Sequence, residues 1–207
     1  MVVPFHLSAK GSRSKAGRSA AVYSNTNFTI LQAVISLLHE GGGGDGIAPY
    51  VDYVSSQVLA LMGIDTNDFN ITPDPPATAT LSYGLNDSRP GASWAEMQCV
   101  GAGGWIASAP SLLKFAVGVR NNKALPPATT ISMFQNGYGC YTYDGIYGQY
   151  FHHNGMLYHD VTPYQGLCTG WVHLADGYDA VLLVNSETPT LSFDGVQLIF
   201  GAFEQRS

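Results

Sequence analysis

Between residues 26 and 40 apolar side chains recur at three- and four-residue steps. Phe28, Leu31, Ile35 and Leu38 form one stripe, widened by Ile30, Val34 and Leu37. An α-helix imposes this period on a face turned to a core, so the pattern predicts a helix over 26–40 with that stripe inside. Four consecutive glycines, Gly41 to Gly44, terminate it. A second helix is predicted over Tyr50–Met62, with Val51, Val54, Val58, Leu59 and Leu61 apolar. Residues 63–98 lose the period and become rich in Pro, Asn, Asp and Gly. A loop of that length is functional or wrapped on a scaffold. Glycines 101, 103 and 104 then lead into a helix over 109–119, with Ser108 as its N-cap and Pro110 in the tolerant first turn.

The period then shortens to two. Ile146–His152, Leu167–Leu174 and Asp179–Asn185 read as strands separated by glycine-containing turns, most clearly Asp176-Gly177. A closing helix is predicted over 192–203. Residues 1–19 show no periodicity and are rich in Ser, Gly, Lys and Arg, so they read as a poorly anchored arm before one domain over 20–207. Helices, then a three-stranded antiparallel meander, then a C-terminal helix define an α+β fold.

Composition narrows the classes. A chain of 207 residues is long enough for one core. Apolar residues at 45% and charged residues at 12% place it outside disordered chains. Apolar stretches such as Ala180–Val184 are far too short to span a membrane. A net charge of −6, with only Lys10, Arg13, Lys15 and Arg18 scattered near the N-terminus, argues against a nucleic-acid partner. Cys99, Cys140 and Cys168 are widely spaced without a C-x-x-C, which offers no zinc or redox motif and at most one disulfide. Sequons at Asn27, Asn70 and Asn86 are too short to establish secretion, and the compartment stays open.

Four stretches carry the chemistry, in order: Tyr23-Ser24-Asn25, the run GAGGWIASAPSLLKFA over 101–116, His153-Asn154-Gly155, and DGYDAVLLVNS over 176–186. Together they resemble the serine β-lactamase and penicillin-binding-protein family, in particular its class C β-lactamase, D-Ala-D-Ala peptidase and related esterase branch. That branch carries Y-x-N before a helix, a glycine-rich GGW stretch and a [KHW]-[STN]-G strand. The resemblance spans about residues 18–204 and implies acyl transfer through a serine. It makes Tyr23 the base or proton relay, Asn25 the amide that orients substrate, and His153 the polar group facing the tyrosine. Asn154 and Gly155 would line the substrate strand. His153 stands where the commoner version has lysine, which makes charge there pH-dependent. Tyr83 and Trp94, in the long loop, are candidate apolar contacts.

Taken alone, the same residues have plainer readings. Tyr23 packs as an ordinary aromatic with Asn25 or Thr26 capping the helix, and His152-His153 lie at a strand end, one on each face. His6, His39, His159 and His173 lack metal-ligand spacing and read as surface or packed residues. Ser12 and Lys15 match the family's S-x-x-K nucleophile motif literally, but without an apolar face to bury a helix. On this reading the chain corresponds to the C-terminal part of the family's fold, without its upstream S-x-x-K region. It should expose an apolar face and a strand edge along 179–185, and should therefore form a homo-oligomer or require a partner segment. The expected activity is hydrolysis of a small ester, amide or lactam without a cofactor. The competing expectation is an inactive remnant that binds a ligand or protein.

Overall fold

The computed structural model describes residues 23–40, 46–71, 80, 100–159, 165–187 and 194–205. Helix α1 spans Asn25–Glu40. Ser24 caps it: its Oγ accepts from the Thr26 N–H at 3.3 Å and its carbonyl from the Asn27 N–H at 3.1 Å. Helix α2, Ile47–Val54, runs without a break into a wider π turn over Ser55–Leu59 and a tighter 3₁₀ turn over Ala60–Met62. Gly63, left-handed at φ 68°, then ends the run. The Ile64 N–H bonds the Leu59 carbonyl and the Gly63 N–H that of Ala60, both at 3.1 Å, which closes a Schellman stop.

Two short strands, β1 (Phe69–Asn70) and β2 (Ile106–Ala107), pair antiparallel. Helix α3, Ala109–Arg120, starts as predicted, with the Ser108 Oγ accepting from the Ser111 N–H at 3.3 Å and Pro110 in the first turn. Helix α4, Pro127–Asn136, has no counterpart in the sequence reading. A four-stranded antiparallel sheet follows in order β3 (Tyr141–Gly145), β4 (Gly148–His159), β5 (Gln165–His173) and β6 (Asp179–Glu187). The meander thus carries one strand more than the periodicity marked. Ile146 and Tyr147, read as the start of a strand, form the turn of the β3–β4 hairpin. The Glu204 carboxylate holds that turn by accepting from the Ile146 N–H at 3.0 Å and the Tyr150 hydroxyl at 3.2 Å. Strand β4 also runs on to His159, so His152 and His153 lie in mid-strand rather than at a strand end.

Helix α5, Gly195–Glu204, is capped by the Asp194 carboxylate, which accepts from the Val196 N–H at 2.9 Å. It lies on the sheet face formed by Cys168, Gly170 and Val172, where a Cβ on Gly170 would press into Val196. Tyr150, Val172, Leu174, Val196 and Phe200 form the core there, and Tyr143 stacks on Phe200 at 4.4 Å between ring centroids. Arg120, at the end of α3, reaches Asp179 on the opposite sheet face, so helices cover both sides.

Helix α1 departs from expectation in its orientation. Gln32 and Ser36 are buried at 6% exposure each, whereas Leu38 is 81% exposed and Ile30, Leu31, Val34 and Leu37 are exposed with it. Its polar stripe is the anchored one. The Gln32 Oε1 accepts from the Gly101 N–H at 2.8 Å, the Ser36 hydroxyl donates to the Gly46 carbonyl, and His39 pairs with Asp52 of α2 at 2.8 Å. Among the described residues no helix is long and apolar enough to cross a membrane.

Candidate active site

Tyr23 sits one residue before the Ser24 cap, at the mouth of α1, and its ring faces the middle of β4. Its centroid lies 5.9 Å from the His153 ring, 6.3 Å from Tyr141 and 5.5 Å from Phe28. Tyr141, the first residue of edge strand β3, stacks on His153 at 5.5 Å and 27°. Strand alternation separates the adjacent histidines: His152 turns to α5, edge-on to Phe200 at 5.3 Å, and His153 turns to Tyr23. The two sequence-predicted residues, Tyr23 and His153, therefore meet. Tyr141, which the sequence reading missed, completes the cluster. Its signal was faint, an aromatic just after Gly139-Cys140 with nothing to show that its strand pairs with the histidine strand.

Burial governs the electrostatics. Desolvation pushes the Tyr23 phenol above its usual value, and Tyr141 likewise, with the neighbouring Tyr23 hydroxyl adding to the rise. Desolvation lowers His153, an effect partly offset by a hydrogen bond with the Asn154 backbone. At neutral pH His153 is therefore an uncharged ring beside an uncharged phenol. A resident phenolate needs a nearby cation, and a neutral imidazole does not provide one.

The remaining candidates divide. Gly155 follows His153 on the same sheet face, directly opposite Thr169, and a Cβ there would meet the Thr169 hydroxyl at 2.7 Å. Asn154 pairs with Gly170 on the face that α5 covers, so alternation turns it away from Tyr23. Asn25 opens α1, half-buried, two residues beyond Tyr23, and its carbonyl accepts from the Thr29 hydroxyl at 3.3 Å. Ser12, Lys15, Tyr83 and Trp94 lie outside the described residues. The glycine-rich run acquires a structural reason at Gly101: a Cβ there would run into the Phe28 carbonyl and come within 2.8 Å of the Gln32 Cβ. Just beyond it, the Trp105 indole N–H donates to the Val100 carbonyl at 2.9 Å.

A second polar cluster lies at the far end of the sheet. Asp179, its side chain 3% exposed, bonds Arg120 through one oxygen and the His173 Nδ1 through the other. Phe134 stands edge-on to His173 at 5.3 Å and Trp171 lies against it at 4.9 Å. Among the described residues no group of three His, Cys, Asp or Glu side chains could hold a metal ion.

Fold and site together define a class: an α+β domain with helices on both faces of an antiparallel sheet and a helix-mouth tyrosine set against a strand histidine. The sequence model of the Beta-lactamase family matches residues 8–199, and the chain belongs to that family. Membership brings a serine-hydrolase type of function and small-molecule substrates. No curated protein matches the chain. No solved structure matches it.

Proposed function

We propose that the chain is a β-lactamase-like serine hydrolase whose substrates are uncharged acyl compounds, esters first among them. The observation that carries this reading is the approach of Tyr23 to His153, 5.9 Å between centroids, at the mouth of α1. A serine hydroxyl would attack the acyl carbonyl and water would later release the acyl group. Because burial raises the Tyr23 phenol, its role is that of a proton relay. It takes the nucleophile's proton as it passes its own to the leaving group. Ser12, with Lys15 as its activating amine, is the nucleophile candidate within the sequence. Asn25 would orient the substrate amide or ester, Gly155 would let it approach β4, and Tyr83 and Trp94 would supply apolar contacts. A neutral His153 offers no charge to hold a carboxylate, which favours esters over acidic lactams.

The exposed apolar stripe of α1 and the edge position of β6 support association, with a second copy or with a segment that supplies the nucleophile. A second reading, a binding module without turnover, is favoured by the raised Tyr23 phenol, which is not itself a base at neutral pH. Assays with p-nitrophenyl acetate and butyrate, a chromogenic cephalosporin and a fluorophosphonate probe, read by rate and intact mass, separate the two. Ester hydrolysis that is lost in Tyr23→Phe, with cephalosporin turned over more slowly, is the expected result. No turnover and no covalent adduct would leave the binding module. An adduct on Ser12 would identify the nucleophile.

A further inference from the structure

We propose that Tyr141 is the positioning residue of this site: its ring, stacked on His153 and reaching Tyr23, fixes the imidazole in the orientation that faces the tyrosine. As a role in catalysis this rests on the hydrolase reading; as a statement about His153 it does not. Three observations converge on the ring. Tyr141 opposes His152 in the β3–β4 register, so the pleat alone would turn its side chain to the α5 face. Its ring instead lies within 5.6 Å of His152 and 5.5 Å of His153, and so touches two side chains that alternation sends to opposite faces. A place at the rim of the sheet allows this: Tyr141 is the first residue of β3, an edge strand among the described residues.

The third observation is the geometry of the stack itself. Tyr141 and His153 lie nearly parallel at 27°, whereas Tyr23 meets them at 41° and 52°. The parallel partner stacks on the imidazole, and the tilted partner completes a nearly equilateral triangle of rings. A histidine side chain has two torsions to lose, and a stacked aromatic removes that freedom. Removing the ring leaves the Asn154 backbone bond to hold His153 and opens the imidazole to water. Among the described residues the groups facing His153 are the two phenols, with His152 next to it on β4 and Trp171 opposite on β5. Asp194 acts on His152. Loss of Tyr141 therefore reaches His153 through hydration and orientation, with no carboxylate among the described residues contributing.

The test is the titration of His153 followed by NMR of the imidazole protons, assigned with His153→Gln, in Tyr141→Phe, Tyr141→Leu and Tyr141→Thr. Phe should titrate like the native protein, because it keeps the ring; Leu and Thr should move the midpoint upward, towards the ordinary histidine value. If the chain hydrolyses esters, the acid limb of the pH profile should move with it, and kcat should fall on the order of tenfold in Leu and Thr but not in Phe. An unchanged midpoint in Leu and Thr, or a shift in Phe as large as theirs, overturns the proposal. So does failure of both Leu and Thr to fold, which would make Tyr141 a packing residue. The titration needs no turnover, so an inactive chain still decides it.

Discussion

At the scale of single residues, the two histidines of β4 show how one peptide step changes chemistry. His152 faces α5, and burial, opposed by Asp194 and reinforced by His153, lowers it to about 4. Between that value and 6.5 His152 binds fewer protons in the folded chain than in the unfolded one, so its contribution to stability is full above pH 6.5 and is lost as pH falls towards 4. Urea titrations at steps across that window should show falling stability in the native protein and a flatter slope in His152→Phe. Equal slopes would mean that His152 does not titrate there. The approach of Tyr23 to His153 was legible in the sequence because four short stretches stood in the order of the family they resemble. Tyr141 was not, because its role depends on which strands pair and on its place at a sheet rim. The direction of the Tyr23 shift was equally hidden: a sequence names the phenol but not its burial.

At the scale of elements, helical period and strand alternation were read correctly where the segments were long and clean. Helices α1 and α3, the capping by Ser108 and the β5–β6 turn at Asp176-Gly177, with φ 61° and 80°, all matched. Helix α4 was not predicted, although Pro127 stands at its first turn, where a proline starts a helix. The hairpin turn was missed because Ile146 and Tyr147 are strand-prone residues placed in a turn that Glu204 holds from outside. Helix α1 holds the clearest lesson. Periodicity tells which residues share a face but not which face turns inward, and here Gln32 is the anchor. Gly101→Ala should destabilise by roughly 1–3 kcal/mol, because the new methyl meets the Phe28 carbonyl and backbone cannot give way cheaply. Gln32→Leu should cost about 1–3 kcal/mol by leaving the Gly101 N–H without its acceptor. Chemical denaturation reads both, and wild-type stability in either variant would show that the clamp between α1 and the glycine run is slack.

At the scale of the whole molecule, five apolar side chains on α1 present a helix-packing seam in which Leu31, Val34 and Leu38 follow three- and four-residue steps. Light scattering at micromolar concentration should report a mass above the monomer, and Leu31→Glu with Leu38→Glu should reduce it without lowering the melting temperature. A native monomer would exclude self-association through this seam. The other end of the molecule is held differently. Arg120, Asp179 and His173 tie the close of α3 and the end of β5 to the first residue of β6, whereas the last residue of β6 lies beyond the register irregularity between Gly166 and Cys168. Asp179 is thus a pin through which the end of α3 braces the start of β6. Asp179→Asn should therefore speed solvent exchange of the amide protons at the start of β6, as it leaves Arg120 without its counter-charge, and unchanged exchange there would show that the pin bears no load.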